Sequence, residues 1–439
     1  MERVATKGDF FFTRKGMRWP GAASTVVAIV CFWKGVWGGS RNCNGSACNK
    51  IGPRLQPETV EGWQPKTLEP PLFAFEGVNN SRGTAFLLSP RDSWFDRLRA
   101  ESRSLLRPYV TGDDITGSAL TRLSRWALDV ADRDLTTIAL QWPVAHKFLT
   151  EVVQLTRTPQ DLQSYPGLAD RWWQFARHRT EQVGHLRANN STCIVFAKAA
   201  KYQISLIAPA DWIYTNKVIL VALERADLHA VFLGSAFQAW LQNFSVQSLG
   251  ADNKTTSLSI SKAFWTFPLP RVLVSQNGAA AAKEFQATVE SWSKSHSAGM
   301  TDAMNAVHSP AASDAEIVEM RNLLARIDME VASAYGWNGM DFVHDFRHEV
   351  DAEGTSVVRH GLDAAARGRV LDMLIGLNRA QYEAAGAPNP SSGGRGSRRG
   401  QAGGRSSAQV SLLPEESNTD KATAVAARAK KARELRSRR

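Results

Sequence analysis

Apolar positions along this chain come in two patterns, short continuous runs and stripes at helical spacing. The clearest run is Val26 to Trp33, eight successive apolar residues, and so continuous a run predicts a strand covered on both faces. Such a strand needs a sheet around it, and little sequence precedes it. The chain is therefore expected to start at the last strand of a domain whose remainder is absent, with a turn from Trp19 to Ala23 feeding that strand. Residues 1–18 show no clear period and receive no element. Gly38 to Pro71 is rich in Gly, Asn and Pro and reads as loop.

From Phe73 to Pro270 the pattern is mixed. Arg125 to Val130, Cys193 to Lys198, Gln203 to Ala208 and Lys217 to Leu223 are rich in β-branched or aromatic residues and bounded by turn residues, which predicts strands. Ser93 to Leu106, Leu168 to Arg179 and Leu228 to Val246 have helical spacing; in the last, Val231, Ala236, Ala239, Trp240 and Phe244 fall on one side. Ala311 to Tyr382 reads as mainly helical, with Ile317, Leu324, Ile327, Val331 and Tyr335 along one face. The expected class is α+β: a mixed-sheet domain, then a mainly helical C-terminal region and a disordered basic tail. The expected boundaries are residues 1–18 unassigned, 19–71 closing strand and linker, 72–270 mixed domain, 271–310 linker, 311–387 helical region and 388–439 tail.

Charge changes this picture less than the totals suggest. The 439 residues carry a formal net charge of +11, but residues 388–439 hold 12 Lys/Arg against 4 Asp/Glu, so the body retains about +3. The tail has too little apolar surface to offset the entropy of ordering, although Lys421 to Arg439 has the composition of a helix that would form on an acidic surface. Cys31, Cys43, Cys48 and Cys193 show no Cys-x-x-Cys pairing and read as reduced thiols. A membrane span needs about 20 apolar residues, and the Val26 run ends in Lys34-Gly35 rather than a small-residue cleavage site. A cytoplasmic protein with no membrane partner is expected.

No complete catalytic set is visible. A DNA amino-methyltransferase presents an Asn/Asp-Pro-Pro-Tyr loop to hold a flipped base, whereas the Asn-Pro pair here, Asn389-Pro390, is followed by Ser391. A glycine-rich loop after a strand and a nuclease-type Glu-x-Lys pair are also missing. His344 and His348 are four apart and on a helix could share a metal, but the order His-Asp-Phe-Arg-His-Glu is not His-Glu-x-x-His, so a structural or solvated role is the better reading.

Several passages in order carry a family resemblance. They are Trp19-Pro-Gly-Ala-Ala before the valine-rich strand; Phe75-Glu-Gly-Val, Gly83-Thr-Ala-Phe86 and Leu88-Ser-Pro90; Arg107-Pro-Tyr-Val-Thr-Gly-Asp-Asp-Ile115; and Ser124-Arg-Trp-Ala-Leu-Asp129. Arg171-Trp-Trp-Gln-Phe175, Ala200-Lys-Tyr202, Phe267-Pro-Leu-Pro270, Asp328 and Ala334-Tyr-Gly-Trp337 follow. Together they resemble the C-terminal part of MmeI-like single-chain type II restriction-modification enzymes, over about residues 19–385. The resemblance implies a target recognition domain at 72–270, an adenine-specific DNA methyltransferase context, and double-stranded DNA as partner. It also implies a separate methyltransferase or nuclease chain. S-adenosylmethionine and Mg belong to the full-length family, and no cofactor is expected on this chain. Two functions follow: a specificity module that positions a catalytic partner, or an inactive truncated remnant that binds DNA without sequence preference.

The residues themselves suggest where DNA would be met. In a helix over Leu168 to Arg179, Trp172, Phe175 and Ala176 would face inward and leave Arg171 and Arg177 for phosphates. The alternative is core tryptophans with solvated arginines. Lys198, Lys201 and Lys217 flank successive strand ends and could form a phosphate-contacting edge, or an ordinary polar one. Ser257, Ser259 and Ser261 alternate with buried Leu258 and Ile260 ahead of Lys262, and short hydroxyls on one face suit base edges. Asp113 and Asp114 follow Gly112 and are expected to satisfy local backbone donors.

Overall fold

The computed structural model describes residues 4, 6–18, 26–43, 46–52, 63–69, 71–81, 85–249, 254–340, 342–350 and 356–386. The turn at Trp19 to Ala23 and the tail at 388–439 lie outside the described residues. Those described belong to one compact unit, Met1–Ala387, and the α+β class holds.

The N-terminal strand Gly8–Arg18 pairs antiparallel with Val26–Lys34 and parallel with Arg41–Cys43, which pairs with Ser46–Cys48. Residues left without an element thus supply the neighbour that Val26–Lys34 requires. The expectation that this strand is covered on both faces fails: Ile29 is 42% and Trp33 50% exposed. Phe10, Cys43 and Ile51 form a small core on one side of the sheet, with Val30 and Phe32 against it.

The main sheet runs Leu206–Pro209, Thr192–Ala197, Val218–Ala222, Ala74–Glu76, antiparallel throughout, with Val195 opposite both Leu206 and Leu220. Thr192–Ala197 and Val218–Ala222 are buried almost end to end, as uninterrupted apolar runs require. Phe196 meets Phe264, Phe232 and Phe237 at 5.3, 5.7 and 5.9 Å between ring centroids. A second sheet orders Ile213–Tyr214, Leu106–Val110, Trp126–Leu128 and Leu87–Leu88.

Several elements differ from expectation for identifiable reasons. Leu228 to Val246 is two helices, Leu228–Leu233 and Ser235–Phe244, broken at Gly234, where the backbone is extended (ψ 150°). A Cβ on Gly234 would lie 3.3 Å from Asp328 Oδ1, so the break admits a carboxylate. Leu168 to Arg179 is not a helix. A 3-10 turn at Pro166–Leu168 precedes irregular chain, and the helix begins only at Thr180, after Arg179 adopts φ 55°. Residues 271–310 are not a linker but the helices Gln276–Ser295 and Met300–Val307. The buried stripe Ala281, Ala282, Phe285, Val289 and Trp292 has helical spacing that was legible. Ala315–Ala334 is the expected helix, with Ile317, Ile327 and Val331 buried. Within the region read as mainly helical lies a hairpin, Asp345–Val350 with Ser356–Gly361, before the helix Ala364–Ala384.

Candidate nucleic-acid interface

Two antiparallel ribbons border one cleft of about 200 Å³. The first joins Val246–Leu249 to Lys254–Ser257, with Ala199–Ala200 on its other edge (Ala200 opposite Thr256). The second is the hairpin Asp345–Val350 with Ser356–Gly361. Thr256 lines the cleft from the first ribbon, Arg359 and His360 from the second, and Asp328 and His308 from the helical layer.

The loop after Ala200 is tied to the first ribbon through Gln203 Nε2, which donates to the Thr256 carbonyl at 2.6 Å. This places Lys201 and Tyr202 at the mouth. Lys201 Nζ donates to Asn305 Oδ1 at 2.7 Å, and the Tyr202 hydroxyl lies 3.0 Å from the same oxygen. Arg359 Nη1 donates to the Tyr202 hydroxyl at 3.0 Å, and its guanidinium lies 5.4 Å from the ring centroid. Two cations from distant parts of the chain are thus held in a chain of neutral groups. Among the described residues neither forms an ion pair.

Behind them Asp328 accepts from the Ser235 amide (2.6 Å) and hydroxyl (2.5 Å) and sits 2.7 Å from His344 Nε2. Its charge is taken up locally. His360 is pushed down to about 4 by burial and by neighbouring His344 and Arg321. His308 is pushed down to about 3 by burial, Arg359, His360 and Lys201. Both are neutral at pH 7, and His308 Nδ1 accepts from the His360 amide at 3.2 Å. Burial is the larger cause at both imidazoles, and the neighbouring cations add to it. Three buried atoms of the lining, Gln203 Oε1, His344 Nδ1 and His360 Nδ1, have no hydrogen-bond partner among the described residues.

A second group of basic residues is neutralised within the fold. Asp129 lies 2.6 Å from His178, 2.8 Å from Arg187 and 3.7 Å from Arg107. Burial alone would raise its carboxyl, but the His178 and Arg187 hydrogen bonds and charges outweigh this and hold it well below the usual range.

The candidates read from sequence are dispersed. Lys201 is at the cleft. Lys198 and Lys217 are adjacent through a backbone bond of 2.7 Å, but Lys198 Nζ is paired with Glu76 at 2.6 Å, whereas Lys217 is exposed. Ser257 ends the first ribbon, opposite Ala199 and Val246. The strand does not continue: Ile260–Phe264 is a helical turn, so Ser259 and Ser261 are not strand neighbours, although their hydroxyls lie 3.5 Å apart. Ser261 and Lys262 are exposed and Leu258 is buried. Arg171 lines a separate cavity beside Tyr165 and Gly167, and Arg177 lies 5.9 Å from the Tyr165 ring. Without the expected helix, these two arginines share no helical face. Asp114 accepts from the Thr111 amide at 2.7 Å and from Arg125 at 2.6 Å, the local role expected of it. His344 and His348 do not share a helix, and no group of three metal-ligating side chains occurs among the described residues.

Sequence reasoning missed Arg359, His360, His308 and Asn305. No motif joins them; the cleft forms only when the hairpin, the short helix at Met300–Val307 and the loop after Ala200 meet. The one available signal was Lys201-Tyr202, a cation beside an aromatic.

No protein-family model and no curated protein sequence matches the chain. A solved structure of the type IIL restriction-modification enzyme MmeI in complex with DNA is similar to it, with a TM-score of 0.57 at 13% identity over 87% of this chain. The chain spans 47% of that enzyme's chain, about half its length. At that identity the likeness is one of fold. No helix among the described residues is long and apolar enough to cross a membrane.

Proposed function

We propose that this chain is a double-stranded DNA-binding module of a restriction-modification system, and that the face carrying the two ribbons meets the duplex. The observation that carries this reading is the cleft between the ribbons, where Lys201 and Arg359 are held by Asn305 and Tyr202 rather than by carboxylates. A two-stranded ribbon fits the major groove of B-DNA, and cations on neutral partners remain available to phosphates. The fold likeness to part of an enzyme solved with DNA supports the same assignment.

Within this reading Arg347 and Arg359, directly opposite across the second ribbon, supply positive charge that repels internally until an anion arrives. Ser257, Ser259 and Ser261 at the foot of the first ribbon are base-edge contacts, with Lys262, Lys201 and Lys217 on phosphates. Arg171 and Arg177 lie by another cavity and add phosphate contacts there. The chain positions a methyltransferase or nuclease supplied by another polypeptide, since its sequence holds no residue set for either reaction.

The test is a fluorescence titration of the full chain against duplexes that tile random sequence, at two salt concentrations. One short sequence bound far above the rest identifies a specificity module. Uniform, salt-steep binding that vanishes when residues 388–439 are deleted contradicts the proposal and leaves a remnant with a basic tail.

A further inference from the structure

The cleft is concave, and this has a consequence for what can enter it. Phosphodiesters of a duplex lie on a convex surface and reach the rim, whereas a recessed cavity admits a group that projects. We propose that the cleft is a phosphomonoester seat, taking the phosphate of a free nucleotide or of a strand end. The proposal deepens the DNA-binding reading but does not require sequence recognition.

The charge balance favours a dianion. Lys201 and Arg359 both line the cavity on neutral partners, with Arg367 a third cation of the lining, while Asp328, the carboxylate of the lining, is engaged by Ser235 and His344. A phosphomonoester carries about −1.5 to −2 at pH 7 and offers three acceptor oxygens, enough for both cations. The rest of the lining asks for more than phosphate. Gln203 Oε1 is a buried acceptor with no partner, and His344, whose side chain is 6% exposed, has an unpartnered Nδ1. Buried polar atoms without partners mark water or ligand positions. A nucleotide supplies what inorganic phosphate lacks, since its sugar hydroxyl or base amine can donate to Gln203 Oε1 while the phosphate accepts at the mouth. Burial and the surrounding cations keep His308 and His360 neutral, so an anion in the seat would draw their proton affinity upward.

Calorimetric titration of the full chain with inorganic phosphate, deoxyadenosine 5′-monophosphate and deoxyadenosine tests this directly. The monophosphate should bind about tenfold or more tightly than the nucleoside, and Arg359→Gln should remove that difference. On adding the monophosphate, the His360 ring resonance should titrate at higher pH. Lys201→Gln provides a second variant should Arg359→Gln not fold. Stronger competition by 5′-phosphorylated than by 5′-hydroxyl duplexes identifies strand ends as the source; equal competition, with the monophosphate still bound, identifies free nucleotides. Equal affinity for nucleotide and nucleoside, or unchanged nucleotide affinity in Lys201→Gln and Arg359→Gln, overturns the seat. Covalently closed circular DNA separates the two ideas. Circles bound without nucleotide binding refute only the seat; nucleotide binding without binding of circles or duplexes refutes only the DNA reading.

Discussion

Asp129 and Asp328 are both buried carboxylates with a histidine at hydrogen-bond distance, 2.6 Å to His178 and 2.7 Å to His344, yet they sit in opposite electrostatic settings. Around Asp129, Arg187 and Arg107 complete the neutralisation, and the charges answer one another within the second sheet and its neighbours. Around Asp328 the carboxylate is answered by Ser235 and His344, and the nearby cations Lys201 and Arg359 rest on Asn305 and Tyr202. Charges balanced internally hold a fold together. At the cleft mouth the charges rest on neutral groups instead, and that contrast sets Lys201 and Arg359 apart from Arg107 and Arg187 in a chain whose body has little net charge.

The largest expected effect is on the balanced side. Asp129→Ala leaves Arg187 and Arg107 without their buried counter-charge and His178 without its hydrogen-bond partner, and stability should fall by about 3–5 kcal/mol in urea unfolding. A loss below about 1 kcal/mol would show that solvent, not Asp129, satisfies these groups.

Acid should expose the buried histidines. His308 and His229 have folded-state values of about 3 and 4, set chiefly by burial. Since the unfolded chain takes up these protons first, stability is full above pH 6.5 and declines as pH falls toward 4, by up to about 1.4 kcal/mol per pH unit for each histidine. Unfolding curves at pH 7.5, 6 and 5 check this: His308→Gln should flatten the decline, and a profile unchanged by the substitution would contradict the assignment.

Specificity should respond differently from stability. Ser259→Ala and Ser261→Ala are expected to weaken discrimination at one base pair by about 1–3 kcal/mol while leaving binding to unrelated duplexes intact. Uniform loss across single-base-pair variants of the site would move readout to the second ribbon.

Much of the fold was legible. The runs Thr192–Ala197 and Val218–Ala222 identify themselves as covered strands because apolar residues continue without alternation, and Ala315–Ala334 through its heptad-like stripe. The second ribbon was not, for a reason of arithmetic. His344 and His348 are four apart, a spacing that extended chain keeps on one side as readily as a helix keeps it on one face, so it cannot separate the two, and His344 lies just before the strand Asp345–Val350. Leu168 to Arg179 failed otherwise: Trp172, Phe175 and Ala176 have helical spacing, but adjacent Gln174 and Phe175 are both buried, and Arg179 adopts a left-handed backbone. Of the cleft only Lys201 was anticipated. Asn305, which holds Lys201, and Arg359, which is bonded to the neighbouring Tyr202, lie more than a hundred residues away, a juxtaposition that tertiary structure alone creates.

The central claim, that cations on neutral partners form the DNA-binding face, is tested most directly by salt dependence. Binding of one duplex is measured across a salt series for the parent chain, for Lys201→Gln with Arg359→Gln, and for Lys198→Gln, whose lysine is already paired with Glu76. The double substitution should shallow the slope of log affinity against log salt by about two units, one per phosphate contact, and Lys198→Gln should leave it unchanged. Equal slopes for the parent and the double variant, or a shallower slope in Lys198→Gln alone, would contradict the account.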